Sequence, residues 1–459
     1  MMAFSQNQPR SWLCAVLLVL GYAAGAAFSI AQQTTVPAEP PASARPSERE
    51  FAAAADEVLS QMSQITGLKL RTPLKKSLRS RDEIRAYVIR EMKEDKNQAE
   101  RYAGQKSAEA FGLLPKDFDL DAFMVDLLTE QIAGLYDPKA HEFYVADWIP
   151  IADQRMVMAH ELTHALEDQH FQIEAWVKAA RPNDDAELAR ESVLEGSAMA
   201  AMVDYLLQGT GRSLKDLPDI DPSMLIGDLE STPELKKAPP FLKDALLFPY
   251  LDGLNFSAAV LKTAGWSALS GVFSKPPVST QQILHPELYR AGKVPAPVAL
   301  PSMDATLGSD WTKLEENGMG EFGWNEVLRQ FLGEGKAAAS TAWEGDRYLL
   351  YEQKKAKRLL LITRLRMTSA EQADHFFELY SQVLEKKHSQ RTERFRKDSF
   401  LSFETPDGGV FLRCIAQECV TLEGEGRAVF DKLSKEINWE LPPQPTREAS
   451  RTTPKSLHN

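Results

Sequence analysis

At 459 residues the chain is too long for one ordinary core, and at roughly 100–200 residues per domain it predicts two or three folded units. Its 43% hydrophobic and 26% charged content is that of a globular protein, and no fixed-period repeat points to a solenoid or propeller. With 53 Lys and Arg against 65 Asp and Glu, a net charge of −12 and no strong basic cluster to neutralise phosphates, no nucleic acid partner is expected.

Arg10 precedes an apolar run from Trp12 to Ala31, where Ser29 and Ala31 supply the small residues that signal peptidase requires. Residues 1–31 therefore read as a signal peptide or, since about 20 apolar residues can also span a bilayer, as a membrane anchor. Either reading puts the bulk of the chain outside the cytoplasm, as a periplasmic, secreted or membrane-anchored protein. Pro, Ala, Ser and Glu dominate the stretch that follows, so residues 32–50 are expected to be a disordered linker.

Residues 51–68 and 81–111 have the apolar spacing of amphipathic helices, and 132–136 and 142–145 flank a turn at Asp137-Pro138-Lys139-Ala140, which predicts a hairpin. Residues 153–178 read as one long helix capped by Asp153. A second helix, capped by Asp184 or Asp185, runs to about 207 and stops at Gly209. Residues 209–240 read as a long loop with short helical pieces, and 241–273 as a helix broken near Gly265.

From about residue 337 the pattern becomes β-α-β-β-like: strands at 346–353, 359–365 and near 400, 411 and 420, a helix over 369–387, and a last helix over 428–436. The expected fold class is α+β, with a mainly helical domain over 51–336, a small α+β domain over 337–440 and a disordered tail over 441–459. Cys414 and Cys419 lie at the facing ends of two strands and are expected to form a disulfide in an oxidising compartment, whereas Cys14 lies within the apolar run.

The chemistry is carried by His160-Glu161-Leu162-Thr163-His164. Residues four apart on a helix lie about 40° apart around its axis, so both imidazoles point the same way and one Zn2+ ion can bind both. Glu161 sits on the adjoining edge, where it reaches a water on that ion and can act as general base. A third ligand is needed. His170 occupies the place of the third histidine in an HExxHxxGxxH motif, but Glu167 replaces the turning glycine, so the helix continues and His170 points away. A carboxylate from the next helix is the other source, with Glu187, Glu191 and Glu195 as candidates. Gly196 removes bulk beside Glu195 and lets two helices approach around an ion, and Glu191, one turn earlier, is placed to support a ligand by hydrogen bonding. His285, in a short Leu284-His285-Pro286 segment, is a candidate for stabilising a tetrahedral oxyanion or for ligating zinc in a resting state, and Tyr136 for donating to the same oxyanion.

The string HELTHALEDQHF over 160–171, followed by Leu194-Glu195-Gly196, resembles a largely uncharacterised family of exported bacterial zincin-like proteins whose members show HELTHALQDQHF and then a VEGDA segment. The resemblance covers about residues 120–350 and includes Gly134-Leu135-Tyr136-Asp137-Pro138, Phe248-Pro249-Tyr250, Ile283-Leu284-His285-Pro286 and Trp343-Glu344-Gly345-Asp346-Arg347-Tyr348. It implies a zincin-like fold and a gluzincin-type zinc metalloendopeptidase in which Glu195 joins His160 and His164 on the metal. Ser197 stands where the family has Asp. The expected activity is hydrolysis of a protein or peptide substrate outside the cytoplasm, with membrane association through the N-terminal apolar segment. The alternative is an inactive zincin scaffold in the cell envelope whose strand-rich C-terminal domain holds a partner.

Overall fold

A computed structural model describes residues 46–95, 98–218 and 232–439. The signal peptide or anchor and the polar tail expected from the sequence lie outside the described residues, as does most of the expected linker. Among the described residues, no helix is long and apolar enough to cross a membrane. Ordered chain starts before residue 51: Ser47 and Glu50 form a capping box for helix α1 (Glu48–Thr66).

The chain continues through β1 (Lys75–Arg79), α2 (Arg81–Asp95), α3 (Gln98–Phe111), α4 (Leu120–Gln131), β2 (Gly134–Asp137) and β3 (Glu142–Ala146). The hairpin forms where expected, and the Asp137 side chain makes its turn by accepting from the amides of Lys139 and Ala140. β1, a short charged segment without alternation, was not foreseen; it pairs in parallel with β3, giving a sheet in the order β1-β3-β2.

The single helix expected over 153–178 is divided. Ile151–Gln154 is a 3-10 turn, α5 spans Arg155–Phe171, and α6 spans Ile173–Lys178. Between the two helices Gln172 adopts the left-handed region, φ 54°, and Asp168 Oδ1 accepts the amide of Ile173. α7 (Asp184–Leu206) is capped by Asn183, whose side chain accepts from the Ala186 amide, rather than by Asp184 or Asp185. α8 (Pro240–Ala264) ends at the expected break, and a short α9 (Thr280–Leu284) precedes His285.

The rest comprises β4 (Trp311–Asn317), α10 (Gly320–Leu332), β5 (Trp343–Gln353), β6 (Leu359–Met367), α11 (Ala370–Lys387), β7 (Thr392–Lys397), β8 (Phe400–Thr405), β9 (Gly408–Ile415), β10 (Glu418–Glu423) and α12 (Arg427–Glu436). Its strands form one antiparallel sheet, ordered β4-β5-β6-β10-β9-β8-β7. The α+β class holds, but the sheet is larger than the expected β-α-β-β pattern, because the charged edge strands β4 and β7 carry weak alternation. It also begins at Trp311, ahead of the domain boundary expected at 337. Alternate residues divide between its faces: Leu350 and Leu361 turn toward α11, and Leu349, Leu360 and Ile362 toward α12. The core under α11 is continuous with the helical half, through edge-on ring contacts of Phe111 with Trp324 and Tyr348 and of Trp324 with Phe376 and Tyr380. Cys414 and Cys419 stand directly opposite in the β9–β10 register and form the expected disulfide.

At the end of β10 Glu423 is buried against Lys387 Nζ and His388 Nε2, each 2.7 Å away. Burial alone would raise its pKa, but its contacts with Lys387 and His388 pull it down to about 2. A depressed carboxyl contributes stability that is present above its ordinary value, 4.5, and lost as pH falls toward 2. Glu423→Gln is expected to remove roughly 2–3 kcal/mol at neutral pH and to make the fall of Tm between pH 4.5 and 2 shallower than in the wild type, read by thermal melts across that range.

Candidate metal centre

α5 and α7 pack against each other and are buried over most of their length, which is why neither shows a strong one-sided pattern. On its other side α7 meets α8 backbone to backbone. A Cβ on Gly196 would lie 2.0 Å from the carbonyl oxygen of Gly253, and one on Gly253 would lie 2.2 Å from that of Ser192. Gly196 was expected to let two helices close around an ion; its close contact is instead with α8, on the side of α7 away from α5.

The crossing brings three side chains together. His160 Nε2 lies 3.1 Å from Glu195 Oε2, and His164 Nε2 lies 3.2 Å from His160 Nε2 and 3.6 Å from Glu195 Oε2. A tetrahedral ion with bonds of about 2.0–2.1 Å sets its ligand atoms about 3.3 Å apart, so the triangle has the dimensions of a metal site. Among the described residues this is the cluster of His, Cys, Asp and Glu side chains close enough to hold an ion. Its members are at most 5% exposed. The electrostatics agree. Glu161, Glu167 and Glu195 are all buried here, and among the described residues none of them faces a Lys or Arg. A divalent cation would supply the positive charge that such a cluster lacks.

Burial pushes the Glu161 carboxyl well above its usual range, with His164 opposing and Glu195 adding to the shift. For His164, burial alone would lower the pKa, but Glu195, Glu167 and Glu161 hold it well above the ordinary imidazole value. Burial likewise raises Glu195, but the two histidines outweigh it and bring the carboxyl below its usual value.

The amide of Tyr136 on β2 donates to Glu161 Oε2 at 3.0 Å, and Glu161 Oε1 is buried without a hydrogen-bond partner. The Tyr136 hydroxyl donates to Asp168 Oδ2 at 2.7 Å. The residue considered as an oxyanion donor is therefore a clip that fastens the hairpin to α5 at two points. His170 is bonded to the carbonyl of Lys69, 2.8 Å away, and lies outside the cluster as expected. Glu187 pairs with Arg181, and Glu191 is buried outside the cluster. His285 is not brought into the cluster either: its Nε2 meets Glu321 Oε1 at 2.8 Å, at the start of α10, and this contact raises its pKa against the effect of burial.

Three neighbours escaped the sequence reading of the site. Tyr250 of α8 stacks on His160, ring centroids 6.1 Å apart. Glu167 Oε2 lies 3.5 Å from His164 Nδ1, and Ser197 Oγ donates to Glu167 Oε1 at 2.5 Å. The i, i+3 spacing of His164 and Glu167 was a usable signal for that pair; position 197 and Tyr250 were marked only by the family resemblance, because both arrive from helices other than α5.

Residues 310–428 match a family described as a domain of unknown function, DUF8575. The DUF8575 segment runs from the start of β4 into α12, so it covers the seven-stranded sheet and leaves the histidines and Glu195 outside. No curated protein and no solved structure matches the chain.

Two outcomes follow from this geometry. His160→Ala, His164→Ala and Glu195→Ala should each strip bound metal, measured by elemental analysis after gel filtration, whereas His170→Ala and Glu191→Ala should retain it. Gly253→Ala, which forces α7 and α8 apart, should cost roughly 1–3 kcal/mol in a denaturant titration.

Proposed function

We propose that this chain is a zinc-dependent peptidase with a zincin-like, gluzincin-type centre, in which His160, His164 and Glu195 hold the metal and Glu161 is the general base. The observation that carries this reading is the triangle of Nε2, Nε2 and Oε2 atoms with edges of 3.1, 3.2 and 3.6 Å, buried beside a glutamate that has one oxygen without a partner. When bound, zinc would supply a Lewis acid that polarises the scissile carbonyl and acidifies water.

The chain's own residues divide the remaining work. The α5 helix sets both imidazoles on one face, and α7 brings the carboxylate that completes the ligand set. The Tyr136 amide holds Glu161 by Oε2, which leaves Oε1 to take a proton from the attacking water and return it to the leaving amine. Among the described residues no cysteine joins the cluster, which favours a catalytic over a structural metal. The apolar N-terminal run supports an exported location, and the cross-strand disulfide fits an oxidising compartment.

Purified protein is expected to carry one zinc per chain. Glu161→Gln is expected to keep the metal and to lose roughly 10²–10⁴-fold of peptide hydrolysis, because the near-isosteric amide cannot accept the proton. Undiminished hydrolysis by that variant would remove the mechanism. A metal-loaded wild type that cleaves no peptide, with a cellular role that survives Glu161→Gln, would favour the envelope binding scaffold instead.

A further inference from the structure

Glu167 has no part in the mechanism above, yet it is 2% exposed and faces no Lys or Arg among the described residues. A carboxylate in that position is costly unless something compensates it. It stands three residues after His164 on α5, with Oε2 3.5 Å from Nδ1, the ring nitrogen that does not face Glu195. Its other oxygen accepts from the hydroxyl of Ser197, which is itself 0% exposed and lies two residues past Glu195 on α7. One chain of contacts therefore runs from Glu195 through His164 and Glu167 to Ser197, and returns to the helix on which it began.

We infer that Glu167 is the positioning carboxylate of the metal centre, and that Ser197 holds it there. Closing the 3.5 Å separation to a hydrogen bond would let Glu167 accept the Nδ1 proton of His164, which fixes the tautomer that keeps the Nε2 lone pair available for the metal and orients the ring. An ionised Glu167 also adds one negative charge to the buried surroundings of the ion. The same carboxylate thus sets the direction of a ligand and the net charge of the buried site. This inference rests on the proposed metal-binding reading, and its test separates the two.

The experiment measures zinc affinity of the full chain by competition with a chromophoric chelator, alongside the melting temperature of the metal-free protein. The amide oxygen of Glu167→Gln can still accept from Nδ1, so this variant removes charge while keeping shape. Its zinc affinity is expected to fall about 10–100-fold, with the metal-free melting temperature little changed because the amide keeps the shape of the side chain. Adding Ser197→Asp to Glu167→Gln supplies the carboxylate from α7 and is expected to recover most of that loss. Ser197→Ala, the mildest change, is expected to weaken zinc by roughly threefold. Beside a wild type that binds zinc, wild-type affinity in Glu167→Gln overturns the charge role, wild-type affinity in Glu167→Leu, which cannot accept from Nδ1, overturns the positioning role, and either leaves the functional reading intact. A loss of zinc matched by an equal fall of the metal-free melting temperature assigns Glu167 to packing and overturns the role as well. A wild type that binds no zinc overturns both readings.

Discussion

Between α5 and α7 the protein buries the carboxyl groups of Glu161, Glu167 and Glu195 against His160 and His164, and among the described residues no Lys or Arg faces any of the carboxylates. Everything else about the helical half is arranged around that concentration of charge. Against the effect of burial, the carboxylates push the pKa of His164 up and the two histidines push that of Glu195 down. A divalent ion would take over that compensation and relieve it, so metal binding and stability of this region are linked quantities.

Holding such a cluster together requires close packing behind it. The contact between Gly196 and Gly253 lets α7 lie backbone to backbone with α8, and Tyr250 of α8 then reaches the ring of His160. From the opposite direction β2 contributes through one residue, Tyr136, whose amide fixes Glu161 and whose hydroxyl fixes Asp168 two turns further along α5. The hairpin and the helix crossing therefore grip α5 from two sides. Each group that would hold or serve a metal sits on a regular element rather than on a loop, which limits the reorganisation needed at the moment of reaction.

The sheet stands apart chemically but not mechanically. Its strands carry no cluster of possible metal ligands among the described residues, and the DUF8575 match begins only at residue 310, after His160, His164 and Glu195. Its core nonetheless merges with that of the helices through Phe111, Trp324, Tyr348 and Phe376. Asp346 of β5 accepts from the amides of Met319 and Gly320, and Asp185 of α7 accepts from the Thr280 amide at the start of α9. Movement of the sheet would therefore be felt at α7, whose next turns carry Glu191 and Glu195.

The sequence by itself determined what is encoded within one element. Four-residue spacing placed His160 and His164 on one face, the Asp137 turn marked the hairpin, and alternation marked β5, β6 and β8 to β10, because each depends only on local periodicity and turn chemistry. Glu195 was legible as a candidate from its place in the next helix and the glycine beside it, and singled out by the family resemblance. Tertiary structure decided what depends on partners distant in sequence. β1 and β4 become strands because β3 and β5 offer hydrogen bonds, α5 stops at Phe171 because Asp168 captures the amide of Ile173 beyond the left-handed Gln172, and His285 is engaged by Glu321. The link between Glu167 and Ser197 is of the same kind. The resembling motif has Gln and Asp at those two places and this chain has Glu and Ser, so a carboxylate remains on one of the two helices; only the crossing of α5 and α7 shows that the two positions touch.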